Sequence, residues 1–179
     1  MPDHVTRYSV MPIPPIEAQT RYFDAGSVRI GVEYRRLDDA VAAAATLEAA
    51  SGDARGPATG LDDRGVSLHV FGLEGGEFRE YLRFDCFLED PHYHYVSWEQ
   101  HFNHMLHMDP IADGDPVTWA LERIRTRLPE MFARAGAEDV ARAVDLPKLQ
   151  TILPEVAACA EQLRRDTSVS PDGEPPGAR

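Results

Sequence analysis

Apolar and polar residues alternate most cleanly at 27–35, "SVRIGVEYR", where Val28, Ile30, Val32 and Tyr34 interleave with Arg29, Gly31, Glu33 and Arg35. A period of two is the mark of a half-buried strand. The same period marks "VSLHVFGL" (66–73) and "EFREYLRFDCFLE" (77–89). Between them "EGG" (74–76) reads as a three-residue hairpin loop, which sets Val70 against Glu80, Leu68 against Leu82 and Val66 against Phe84. "HYHYVSW" (92–98) reads as a fourth strand, reached through the turn "EDP" (89–91). Pairing Leu88 with His92 then sets Cys86 against His94 and Phe84 against Val96. This register predicts an apolar face of Val66, Leu68, Leu82, Phe84, Cys86, Val96 and Trp98. It predicts an opposite face of His69, Tyr81, Arg83, Asp85, Tyr93 and Tyr95.

After Asp115 the period changes to that of a helix. Asp115 is an N-cap candidate with Pro116 at the first helical position, and Val117, Leu121, Ile124 and Leu128 follow on one stripe. Pro129 is expected to end or kink this helix. A short piece at 137–145 follows, then a second stripe of Leu149, Ile152, Val156, Ala160 and Leu163, perturbed by Pro154. Strands first and helices after predict an α+β fold: an antiparallel sheet of about four strands with the C-terminal helices on one face. One domain over 1–165 is expected. Within it, 1–25 reads as an extended arm, and 38–64 as an insertion that opens with a short alanine-rich helix. The Pro/Gly-rich 166–179 reads as a disordered tail.

Composition narrows the function classes. The 179 residues carry a net charge of −12, which argues against a broad basic surface for nucleic-acid phosphates. The two cysteines, Cys86 and Cys159, are far apart and fit no disulfide framework. No basic start followed by an apolar run opens the chain, and no apolar stretch nears the roughly 20 residues of a membrane span, so a cytoplasmic protein is expected. Lys148 is the sole lysine among many arginines and alanines, a bias that suits a GC-rich bacterial genome.

The densest chemistry is "PHYHYVSWEQHFNHMLHMDP" (91–110), which holds five of the seven histidines: His92, His94, His101, His104 and His107. His-x-His on a strand puts both imidazoles on one face, half of a site for zinc, iron or manganese. His104 and His107, spaced by three, are candidates to complete it, as are the nearby carboxylates Glu99 and Asp109. The register above instead turns His92 and His94 towards the apolar face, as core imidazoles. Inverting that register would seat them beside a carboxylate. Three readings therefore stay open: metal ligands, acid–base groups or core histidines. Arg83 and Asp85 form a second constellation, able to hold an anion and move a proton.

"LRFD" (82–85) followed by "PHYHY" (91–95) resembles small uncharacterised bacterial domains in which an Arg-[Phe/Tyr]-Asp strand precedes a Pro-His-rich turn, some of them toxin-like. The resemblance covers about residues 66–98 and implies that Arg83, Asp85, His92 and His94 belong to one functional surface. Two functions fit. One is a metal-dependent, hydrolase-like enzyme with His92, His94, His104 and His107 as ligand candidates and Arg83 and Asp85 as catalytic candidates. The other is a non-catalytic binding or accessory protein, a partner subunit or toxin–antitoxin component, with structural histidines and a small molecule or protein as its partner.

Overall fold

The computed structural model describes residues 5–8, 11–39, 60 and 62–168. Among the described residues seven strands form one antiparallel sheet: β1 (Val5–Tyr8), β2 (Arg21–Ala25), β3 (Val28–Asp38), β4 (Asp62–Glu74), β5 (Glu77–Phe87), β6 (His92–Ser97) and β7 (Phe102–His107). Their order is β1-β7-β6-β5-β4-β3-β2. The α+β class holds, with seven strands in place of the expected four. Two of the extra strands, β1 and β2, lie inside the segment read as an extended arm. The third, β7, occupies the stretch where histidines spaced by three resembled a helical turn.

Three helices follow: α1 (Pro116–Arg134), α2 (Glu138–Ala143) and α3 (Leu146–Ser168). Asp115 caps α1 as expected, its Oδ1 accepting the Thr118 N–H at 2.9 Å, with Pro116 in the first turn. Pro129 does not end α1, which runs on through Met131 and Phe132 into the core. The helices pack on one face of the sheet, α1 against β5, α2 against β4 and α3 against β2, β3 and β4. Ile30, Val32, Val66, Leu68, Leu82 and Phe84 lie beneath them, fully buried with Ile124, Leu128, Phe132 and Leu149. Each Leu or Phe side chain so covered stabilises the fold by about 1.5–3 kcal/mol. The alanine-rich part of the expected insertion lies outside the described residues. β3 and β4 extend into that expected insertion as far as the Asp38–Asp62 pair. Among the described residues no helix is long and apolar enough to cross a membrane.

Two details set the register. The β4–β5 hairpin closes on Gly75 and Gly76 alone, both at positive φ (60° and 89°), and Glu74 pairs with Glu77. A two-residue turn of that handedness matches the twist of the strands, which a three-residue loop would not need. A bulge then follows: Val70 pairs with Leu82 and Phe71 with Glu80, leaving Tyr81 as the extra residue. The expected β4–β5 register is thus corrected by two residues, with Leu68 opposite Phe84 and Val66 opposite Cys86. A shift of two keeps Leu82, Phe84 and Cys86 on the helix face. The bulge moves Tyr81 to that face, against Phe132, and frees Glu80 to share the other face with Arg83 and Asp85.

The β5–β6 register is corrected by three residues, an odd number. Asp85 pairs with His92, Phe84 with Tyr93, Arg83 with His94 and Leu82 with Tyr95. Every β6 side chain therefore lies on the face opposite to the expected one. Tyr93 and Tyr95 join the helix side, and Val96 leaves it. Trp98, expected in the apolar face, lies beyond β6, partly exposed, and donates its Nε1–H to the Glu80 carbonyl at 2.8 Å.

Close approach at Gly65 depends on the missing side chain. A Cβ there would overlap the Cys86 carbonyl oxygen and crowd the Phe87 Cα at 2.7 Å, both backbone atoms that cannot swing aside. Gly65→Ala should therefore destabilise the protein by about 1–3 kcal/mol or more, read as a lower urea midpoint. An unchanged midpoint would contradict this packing.

Candidate metal site

The sheet face away from the helices is polar, yet buried. Glu33, Arg35, Ser67, His69, Glu80, Arg83, Asp85, His92, His94 and Asn103 are all at most 8% exposed. Segment 11–20 crosses part of this face. Arg35 donates to the carbonyls of Ile13 (3.2 Å) and Pro14 (2.6 Å), and Glu33 Oε2 accepts the Ile16 N–H and the Thr20 hydroxyl (2.9 and 3.1 Å). Buried charges survive only when paired, and these form a chain. Arg35 Nε lies 2.7 Å from Glu33 Oε1, which lies 3.1 Å from His69 Nε2. His69 Nδ1 lies 2.7 Å from Glu80 Oε1, and Glu80 takes a two-pronged contact from Arg83 at 2.9 and 2.8 Å.

The protonation states follow from this geometry. An ionised carboxylate only accepts, so a ring between two of them must donate from both nitrogens and is an imidazolium. Burial works against that charge, but the hydrogen bonds the ring donates to Glu33 and Glu80 outweigh this and hold His69 above its ordinary 6.5. Burial likewise opposes ionisation of Glu80, and Arg83 and His69 nonetheless bring it down to about 2.

Beside this chain three acceptors converge. Asp85 Oδ2 lies 3.4 Å from His92 Nε2 and 3.3 Å from His94 Nε2, and the three atoms all lie within 4.8 Å of one another. The other polar atom of each group is tied outward. His92 Nδ1 donates to the Asp90 carbonyl at 2.7 Å, His94 Nδ1 to Asn103 Oδ1 at 3.0 Å, and Asp85 Oδ1 accepts the Ser67 hydroxyl at 2.5 Å. Such outer bonds select the tautomer whose Nε2 lone pair points inward, as in histidines that ligate metals. The Nε2–Oδ2 separations exceed the roughly 2.7–2.9 Å of a charge-assisted hydrogen bond. They match the edge of a tetrahedron with ligand distances of about 2.0–2.1 Å, which is about 3.3–3.4 Å. Burial would raise the Asp85 carboxyl, but His92, His94 and Arg83 hold it well below the ordinary carboxylate range. Burial lowers His92, and Asp85 more than reverses this, so the site attracts a cation, whether proton or metal.

The turn that carries Asp90 is itself pinned. Asp63, on β4, accepts the N–H groups of Leu88 and Glu89 on Oδ1 (3.2 and 3.1 Å) and of Asp90 on Oδ2 (2.9 Å). Asp63 thus sets the 88–90 turn, the turn aims the Asp90 carbonyl, and the carbonyl orients His92.

Of the residues singled out by sequence, Asp85, His92 and His94 meet at one point. Arg83 lies on the same face, its Nε and Nη2 engaged by Glu80. His107 sits at the rim opposite His92, with Nδ1 2.7 Å from Asp90 Oδ1 and its ring 6.1 Å from that of His92. His104 pairs with Tyr95 on the other face of β7, away from the three. On a strand a spacing of three alternates faces, which parts His104 from His107. His101 lies in the β6–β7 turn at positive φ (49°). Ser67, Asp63, Asp90, Asn103, Glu33 and Glu80 escaped the sequence reading, because each acts by an acceptor or hydroxyl that only the register brings near. Cys86 is a buried core thiol, pushed up by burial.

Glu80 gives a pH test. Its folded value lies below the ordinary 4.5, so its contribution is full above about pH 4.5 and is lost as pH falls towards about 2. Glu80→Gln should cost about 3–5 kcal/mol at neutral pH, because it strands Arg83 and His69, and should flatten stability across that acid range. Urea unfolding measured from pH 2.5 to 7 checks both; an acid limb identical to that of the parent protein would contradict the pairing.

Searches of curated proteins and of solved structures found no match to this chain. The family model described as a domain of unknown function (DUF7700) matches residues 22–160, a span that holds β3 to β7, all but the first residue of β2, and the converging Asp85, His92 and His94, and the chain belongs to that family.

Proposed function

We propose that this protein binds one divalent transition-metal ion, zinc foremost, through Asp85, His92 and His94, and that it is a metal-dependent enzyme of the hydrolase kind. The observation that carries this is the convergence of three acceptors within 4.8 Å of one another, with both imidazoles 3.3–3.4 Å from Asp85 Oδ2 and every outer atom already committed to another partner. Two imidazoles and one carboxylate form a recurrent ligand set, and three protein ligands leave a position for water or substrate, unlike the four of a closed structural zinc. A metal in such a site supplies an activated water near neutral pH.

The chain's own residues have definable roles in this proposal. Asn103 and the Asp90 carbonyl hold the two rings in the ligating tautomer. Ser67 fixes the carboxylate rotamer. The arginine–glutamate–histidine chain on β3–β5 keeps the neighbouring face rigid, and Arg83 adds to the lowering of the Asp85 carboxyl by His92 and His94, so that it ligates as an anion. His107, paired with Asp90 and 40% exposed in its side chain, stands where the site meets solvent.

Equilibrium dialysis of untagged protein against zinc, with metal counted by mass spectrometry, tests the proposal. One equivalent is expected in the parent protein. Asp85→Ala and His94→Ala should lose it, Asn103→Ala should weaken it by about 10–100-fold, and His104→Ala should retain it. Zinc-dependent hydrolysis of 4-nitrophenyl acetate, lost in His94→Ala, is the expected activity readout. Absence of bound zinc in the parent protein, or its retention in Asp85→Ala, would refute the site.

A further inference from the structure

β6 presents chemistry on both faces, since "HYHY" (92–95) alternates imidazole and phenol. The helix side of β6 and β7 lies beyond the helices that cover β2 to β5, and α1 reaches β6 through Trp119 and Arg134. The rings there are contiguous. Tyr93 lies 5.2 Å from Trp119 and 5.8 Å from Tyr95, while Leu106 pairs with Tyr93 and His104 with Tyr95 across β6–β7. Arginines rim them: Arg123 stacks over Trp119 at 4.8 Å, Arg134 over Tyr95 at 4.4 Å and Arg7 over Phe102 at 3.9 Å. Among the described residues none of these three closes a salt bridge with a carboxylate; Arg123 acts on Glu122 through space and Arg134 donates to Tyr95, in a chain whose net charge is −12. The indole Nε1 of Trp119 is buried and has no hydrogen-bond partner among them either.

Arginines gathered on aromatic rings without a closed salt bridge make a local positive field in an acidic protein. We propose that this flank binds a small organic anion with a flat aromatic body, its ring system against Tyr93, Leu106 and Trp119 and its carboxylate on Arg134 beside Tyr95. Arg123 closes the aromatic end, and Arg7 and His104 flank the anionic end. The field is visible in neighbouring groups: burial first, then Arg7 and Arg134, lowers His104. Burial raises Tyr93, with Tyr95 and Asp113 adding to the rise and Arg134 and Arg123 opposing it. Asp113 is the carboxylate that faces Tyr93 from the loop before α1, and its Oδ2 already accepts the Asp109 N–H at 2.9 Å. This site lies on the opposite face of the sheet from Asp85, His92 and His94 and is independent of metal.

Calorimetric titration of the full chain with 2-naphthoate, with and without EDTA, tests it. Saturable binding of one equivalent, unaffected by EDTA, is expected. The uncharged 2-naphthamide should bind at least about tenfold more weakly, as expected for loss of a charged hydrogen bond. Arg134→Gln, at an exposed position, should weaken naphthoate by a similar factor and leave naphthamide unchanged, and Arg123→Gln serves as a second variant expected to weaken both. Equal affinity for naphthoate and naphthamide, indifference to Arg134→Gln, abolition by EDTA or no binding at all would each overturn the proposal.

Discussion

The pairing of Asp85 with His92 across β5 and β6 is the constraint on which the site depends. Backbone alternation makes it a question of parity. With Asp85 opposite His92, both imidazoles of β6 share a face with the carboxylate, and the tyrosines between them go to the helix side. A slip of one residue would put two tyrosines beside Asp85 and two imidazoles into the Phe84 shell, leaving the buried carboxylate without its two imidazole partners. Such a loss costs several kcal/mol, a large part of the stability of a domain this size. The register is held from outside the strands as well, by the Asp63 carboxylate that gathers the N–H groups of the 88–90 turn.

The same logic extends over the whole sheet. One face is closed by helices and stabilised by apolar burial. The other is buried too, but by charge pairing under the 11–20 segment, where Arg35, Glu33, His69, Glu80 and Arg83 neutralise one another in line. A paired layer of this kind is rigid because each member has a single satisfied geometry. In the proposed metal site such rigidity would hold the ligands in place before the ion arrives. The face is the costlier of the two to build. Its reward is three acceptors poised at one point.

Much of this was legible in the sequence. Strong alternation at 27–35 and 66–87 marked β3, β4 and most of β5. The Asp115-Pro116 cap and the Val117, Ile124, Leu128 stripe marked α1. The β5–β6 parity was not legible, because "HYHY" offers no purely apolar set: Tyr and His are both amphipathic, and either can face a core. The turn also misled, since its length is set by Asp63, a residue remote in sequence. The Tyr81 bulge hid Glu80 from the polar face, and β7 was masked by a three-residue histidine spacing that mimics a helix. Asp85, His92 and His94 were each picked out by type, but only the register brings them together.

The most direct test is X-ray absorption at the zinc edge on the zinc-loaded protein. Two imidazole back-scatterers and two oxygen ligands at about 2.0–2.1 Å, four in all, are expected for Asp85, His92, His94 and one water. Asn103→Ala should disorder the imidazole signal without removing it. A six-coordinate, all-oxygen shell, or imidazole scattering that survives in an Asp85→Ala, His94→Ala double variant, would contradict a metal centre at this point of the sheet.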